Sequence, residues 1–143
     1  NPMRKIILLL VVLSLYSCSS TKTNEPLPLY EVLVTNNDGG ANIKFYEILT
    51  EPKEIMMLLG DETLRKKIKS QDTQKSSFII LNSGPTKESY NRVKVLKVEE
   101  TPTEIVVYVK DTQKATEADI NDEAISYPYT IIKINSKKPI TIK

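Results

Sequence analysis

The chain has 143 residues, with 20 Lys and Arg against 18 Asp and Glu, and it contains no histidine, no tryptophan and a single cysteine. A chain without histidine lacks the base of a Ser–His or Cys–His nucleophile, and it lacks the ligands of the usual Cys/His zinc sites, so both classes are excluded. The four glycines do not form a phosphate-binding loop of the GxxxxGK[ST] type.

The N-terminal segment has the features of a secretory signal. Met3-Arg4-Lys5 is basic, and the apolar run at residues 6–13 is too short to span a bilayer. Leu15-Tyr16-Ser17-Cys18 resembles the lipobox of bacterial lipoproteins. The resemblance implies cleavage of a signal peptide at residues 1–17, acylation of Cys18 and anchoring in the cell envelope. An Asp directly after the cysteine would resemble an inner-membrane retention signal. Ser19 stands at this position instead, so the expected location is the outer membrane.

Processing at Cys18 changes the charge balance and defines one domain. Loss of Arg4 and Lys5 leaves 18 basic against 18 acidic residues, so a nucleic-acid partner, which requires a clustered basic face, is not predicted. The polar segment 18–28 contains two prolines and is predicted to be a flexible tether. Residues 29–143 are then long enough for a single domain.

The first elements of this domain are two predicted strands. Residues 30–34 and 42–49 are rich in β-formers, and the Asn-Asn-Asp-Gly-Gly cluster at residues 36–40 separates them. Strand, turn and strand in this order predict a hairpin.

Two short helices are predicted next. Residues 50–60 begin with a Thr that can cap a helix and a Pro in the first turn, and they end on a Gly. Residues 62–69 place Leu64 and Ile68 one helical turn apart, with basic side chains on the other face. That basic face is interpreted as solvated, since cations are favoured near a helix C-terminus.

The second half of the chain is predicted to be sheet. Residues 77–81 read as a continuous apolar strand at the centre of a sheet. Strands at 91–99, 104–110 and 127–134 follow, and residues 139–142 add a short edge strand. Because the helices cluster, the predicted class is α+β: a mainly antiparallel sheet of five to six strands with one or two short helices on one face.

An acidic segment at residues 117–123 is the candidate metal site. Its oxygen ligands would be Asp119, Asn121, Asp122 and Glu123. The EF-hand pattern fails, because Ala124 stands where it requires Gly and Thr130 where it requires Glu. A solvated acidic loop is the simpler interpretation, calcium or small-ligand binding is the alternative function, and no cofactor is predicted.

A family resemblance covers about residues 77–134. It is carried by the apolar strand at 77–81, the Gly84-Pro85-Thr86 loop that ends in Tyr90, a Val-rich strand, and the closing strand with Tyr127-Pro128-Tyr129. This region resembles the C-terminal-type domain of the protease-complex subunit PrcB. The resemblance implies a non-catalytic, lipid-anchored accessory protein with a protein partner, such as a protease, and it brings no catalytic residues. The candidate contacts with that partner are Gly84, Pro85, Thr86 and Tyr90, together with the long loop at 111–126.

Overall fold

The computed structural model describes residues 27–87, 92–111 and 125–143. Within these ranges the chain forms seven strands and three short α-helices. The strands are β1 Tyr30–Asn36, β2 Lys44–Leu49, β3 Ser77–Ser83, β4 Lys94–Glu100, β5 Ile105–Lys110, β6 Tyr129–Ile134 and β7 Ile140–Ile142. The helices are α1 Pro52–Met57, α2 Glu62–Arg65 and α3 Asp72–Lys75, and a 3-10 helix, Leu58–Gly60, follows α1.

The larger sheet has four strands in the order β1-β6-β3-β2, and every neighbouring pair is antiparallel. β1 and β2 therefore lie at opposite edges, and the predicted hairpin between them is wrong. Their connection, residues 37–43, instead crosses the ends of β6 and β3. Gly40 donates its backbone N–H to the carbonyl of Tyr127 at 2.8 Å, and the N–H of Ala41 is bound by the Asn82 side chain at 3.0 Å.

The smaller sheet has the order β4-β5-β7, with β4 and β5 antiparallel and β5 and β7 parallel. The prediction of one sheet is therefore wrong, since the strands divide into sheets of four and three. The structure agrees with the predicted α+β class and with the predicted placement of the helices on one face. A second layer is required because β3 and β6 are apolar on both faces, and each face must be covered.

Two hydrophobic cores lie on the two faces of the larger sheet. The core beneath the helices contains Leu33, Leu49, Ile55, Leu64, Ile68, Phe78 and Ile131. The core between the sheets contains Ile79, Leu81, Val93, Ile105, Val107, Ile132 and Ile134. Because successive side chains of a strand point to opposite faces, β3 and β6 each supply both cores. The prediction that residues 77–81 form a central strand is confirmed.

The helices are shorter than predicted, and their first residues explain where they begin. The N-cap of α1 is Glu51, not Thr50, and its backbone N–H donates to the carboxylate of Glu54 at 3.1 Å. Asp61 caps α2 by accepting from the N–H groups of Thr63 and Leu64. The helix α3 escaped prediction because its single turn has no apolar periodicity. No helix in the described ranges has the length and apolar character needed to cross a membrane.

Candidate functional site

Several connections meet at one end of the larger sheet, which we call the loop end. It comprises residues 36–44, residues 84–87 after β3, Arg92 before β4, Asp111 after β5, and residues 125–129 where β6 begins. The opposite end of the sheet carries the first residue of β1 and the last residue of β6, which pair with each other. The two ends are therefore separated by a strand of about 20 Å.

The segment that follows β3 is held in a defined shape. Gly84 has a φ of +76°, a conformation that glycine adopts without steric cost. A Cβ at this position would lie 3.0 Å from the backbone nitrogen of Lys44, so the segment packs directly against β2. Thr86 and Ser126 exchange two backbone hydrogen bonds of 2.9 Å, and this bridge ties the segment to the chain before β6.

The connection between β1 and β2 is fixed by side chains of the loop end. The carboxylate of Asp38 accepts from the N–H of Tyr127 at 2.9 Å, and Asn36 donates to the hydroxyl of Tyr129 at 2.6 Å. Arg92 donates to the side-chain oxygen of Asn37. These bonds join parts of the chain that are 55 to 93 residues apart in sequence. The loop end is therefore one connected surface.

An ion pair between Lys44 and Asp111 adds a charged contact at the loop end. The hydrogen bond to the Asp111 carboxylate raises the pKa of Lys44, while partial burial lowers it by less. A raised pKa means that the pair contributes stability below the ordinary lysine pKa and loses it as the pH rises through the folded value. The pair is thus intact at neutral pH and holds the end of β5 against β2.

The structure brings together three of the four predicted contact residues. Gly84 and Thr86 are buried, Pro85 is half-buried, and the neighbouring Lys87 is exposed. Gly84 and Thr86 therefore fix the shape of the segment, whereas Pro85 and Lys87 reach solvent. Tyr90 lies outside the described residues.

The remaining predicted sites cannot be placed in the fold. Cys18 and the candidate calcium ligands lie outside the described residues; those ligands are Asp119, Asn121, Asp122 and Glu123. In the part of the chain that is described, no group of three or more His, Cys, Asp or Glu side chains is arranged to hold a metal ion. Lipidation of Cys18 and calcium binding stay predictions.

Sequence reasoning missed the residues that hold the loop end together. Gly40, Asn82 and Ser126 have this role. They are not recognisable from the sequence because their hydrogen-bond partners are distant along the chain. The Asn-Asp-Gly-Gly run predicts a hairpin turn, whereas its second glycine, Gly40, lies against the backbone of Tyr127 in the fold. The signal that was available is the length of the connection, which exceeds that of a two-residue turn.

The described residues thus define a two-sheet α+β domain with short helices on one face and a connected loop surface at one end. Residues 77–135 match the family model described as PrcB C-terminal. This match confirms the family resemblance predicted from the strands and loops of the same region. It covers β3 to β6 and the two connections that leave and return at the loop end.

The other comparisons found no relatives. No curated protein matches the chain, and no solved structure matches it.

Proposed function

We propose that this protein is a non-catalytic, lipid-anchored accessory subunit of an envelope protein complex, and that the loop end binds its partner. The observation that carries the proposal is the position of the family-matched loops. Both long connections of the PrcB C-terminal-type region begin and end at the loop end, on a surface joined by hydrogen bonds from four parts of the chain. Loops that a rigid scaffold positions at one end are typical of binding surfaces.

The family supports a partner that belongs to a protease complex. The PrcB name denotes a subunit of such a complex, and a protease is therefore the partner we propose for this chain. The non-catalytic role is supported by the composition, since the chain has no histidine to activate a serine or cysteine nucleophile.

The direction in which the chain enters the fold supports an anchored arrangement. Asn135 binds the carbonyls of Pro28 and Leu29 at 2.7 and 2.8 Å, so the N-terminal segment joins the sheet at the end opposite the loop end. If Cys18 carries acyl chains, the segment 18–28 reaches about 30 Å from the lipid to the fold when it is semi-extended, at about 3 Å per residue. The loop end is the end of the sheet farther from this attachment point, where a partner can reach it.

Capture of a partner from native membranes tests this proposal. We expect the lipidated chain to retain a stoichiometric envelope protein, and we expect Lys87→Ala combined with Tyr90→Ala to reduce capture at least about tenfold, the effect of losing one contact hot spot. Lys66→Ala with Lys75→Ala, on the helix face, is the matched control and should capture normally. Cys18→Ser reports on the contribution of the anchor.

Two outcomes of this experiment would count against the proposal. The first is undiminished capture by a correctly folded Lys87→Ala, Tyr90→Ala variant, which would place the contact elsewhere. The second is the absence of any stoichiometric protein, which would leave the family match as a statement about the fold of residues 77–135.

A further inference from the structure

A second surface lies on the helix face, between α1 and the larger sheet. It is a groove of about 250 Å³ lined by Glu47, Leu49, Glu54, Met57, Leu58 and Ile80. We propose that this groove binds an extended segment of a partner protein that presents an aliphatic or aromatic side chain next to a lysine or arginine. Its volume is below that of the usual small-molecule pocket and suits a side chain instead.

Most of the lining of the groove is apolar. Leu58 and Ile80 in this lining are partly exposed, and Met57 is 80 % exposed. The helix α1 buries only Ile55, so the two methionines that follow it project from the surface. Exposed, flexible methionines are a feature of surfaces that adapt to apolar side chains of a partner.

Two carboxylates also line the groove. Glu47 projects from β2 and Glu54 from α1, and neither forms an ion pair within the ranges 27–87, 92–111 and 125–143. The carboxylate of Glu54 accepts one bond, from the backbone N–H of Glu51. The groove is therefore negative as well as apolar, and its charge complements a basic residue beside the inserted side chain.

The groove adjoins a free sheet edge, which favours an extended partner segment. β2 is the last strand of the larger sheet and, among the described residues, pairs with β3 alone. By the alternation of strand side chains, Phe45, Glu47 and Leu49 share the face that the groove occupies. A segment that adds to this edge would form backbone hydrogen bonds with β2 and place alternate side chains toward the groove.

This surface is distinct from the loop end. Lys44, at the loop end, pairs with Ser83, whereas Leu49, at the groove, pairs with Phe78 at the other end of β3. Five of the six lining residues precede the region that matches the family model. The groove therefore belongs to the part of this chain that lies outside the PrcB C-terminal-type match.

Methyl NMR tests the proposal through Met57. The full chain is labelled with ¹³C at its methionine methyls, the Met57 signal is assigned with Met57→Leu, and two peptides are titrated: Lys-Leu-Phe-Leu-Lys and its acidic counterpart Glu-Leu-Phe-Leu-Glu. We expect saturable shifts of the Met57 methyl and an affinity for the basic peptide at least about fivefold higher than for the acidic one.

Charge variants complete the test. Glu47→Lys with Glu54→Gln should weaken binding of the basic peptide at least about fivefold, and Gln at the second position keeps the helix-capping acceptor. Glu62→Lys, on α2, is the matched control and should bind normally. Equal affinity for both peptides, or no saturable shift, would overturn the proposal. A Met57 shift that follows protein concentration alone would also overturn it, because the occupant would then be a second copy of the chain.

Discussion

Gly40→Ala is expected to destabilise the domain by about 2–4 kcal/mol, which is a large fraction of the stability of a domain of this size. A Cβ at this position would lie 2.7 Å from the carbonyl oxygen of Tyr127, 3.1 Å from the side-chain oxygen of Asn82 and 3.2 Å from the carbonyl oxygen of Pro128. Two of these atoms are backbone, so the clash cannot be relieved by a side-chain rotation. Relief would break the bond between Gly40 and Tyr127 and separate residues 37–43 from β6.

Urea unfolding monitored by circular dichroism measures this loss, and a second glycine provides the control. Among the described residues, no atom outside its own helix and chain neighbours lies within 4 Å of a Cβ added at Gly60, so Gly60→Ala should change the free energy of unfolding by less than about 1 kcal/mol. If Gly40→Ala and Gly60→Ala were equally stable, the close crossing of residues 37–43 over β6 would be contradicted.

Asp72→Asn is expected to cost about 3 kcal/mol of unfolding free energy. Asp72 on α3 and Lys133 on β6 form an ion pair at 3.2 Å, and their side chains are only 7 % and 8 % exposed. Removing the carboxylate leaves a buried ammonium whose remaining acidic neighbour is Glu31, at 3.5 Å and 41 % exposed. The cost is placed at the lower end of the range for broken buried pairs because Glu31 still offsets part of the charge.

A double variant separates the lost ion pair from other effects of the substitution. Asp72→Asn with Lys133→Met removes both charges and should recover most of the stability in the same urea experiment. Glu99→Gln breaks the exposed pair with Lys97 and should be silent, since solvent screens that pair. A Lys133→Met change that fails to rescue Asp72→Asn would indicate that the bond from the Lys69 N–H to Asp72, at 2.7 Å, carries the effect instead.

The strands were predictable because their signals are local. The apolar run of β3 identified an interior strand, and the register places it between β6 and β2. The β-rich residues 30–34 fall within β1. Pairing between strands was not predictable, because a Gly-rich connection is compatible with a hairpin and with a crossing over other strands. The choice is made by contacts with Tyr127 and Asn82, which no local pattern reveals.

The same limit applies to the polar core and the candidate site. Lys133 is a single charge within an apolar strand, and its partner Asp72 lies on a one-turn helix about 60 residues earlier. Gly84-Pro85-Thr86 was recognisable as a specific loop from its composition. The residues that fix it, Ser126 and Lys44, became apparent only from the fold, because they approach it through tertiary pairing.

Photo-crosslinking in intact cells tests whether the loop end contacts a partner protein. Lys87 at the loop end and Lys66 on the helix face, both exposed, are each replaced by p-benzoylphenylalanine. Adducts formed on irradiation are identified by mass. We expect one discrete adduct with an envelope protein from position 87, and we expect no adduct of the same mass from position 66. No adduct from position 87, or the same adducts from both positions, would contradict this contact.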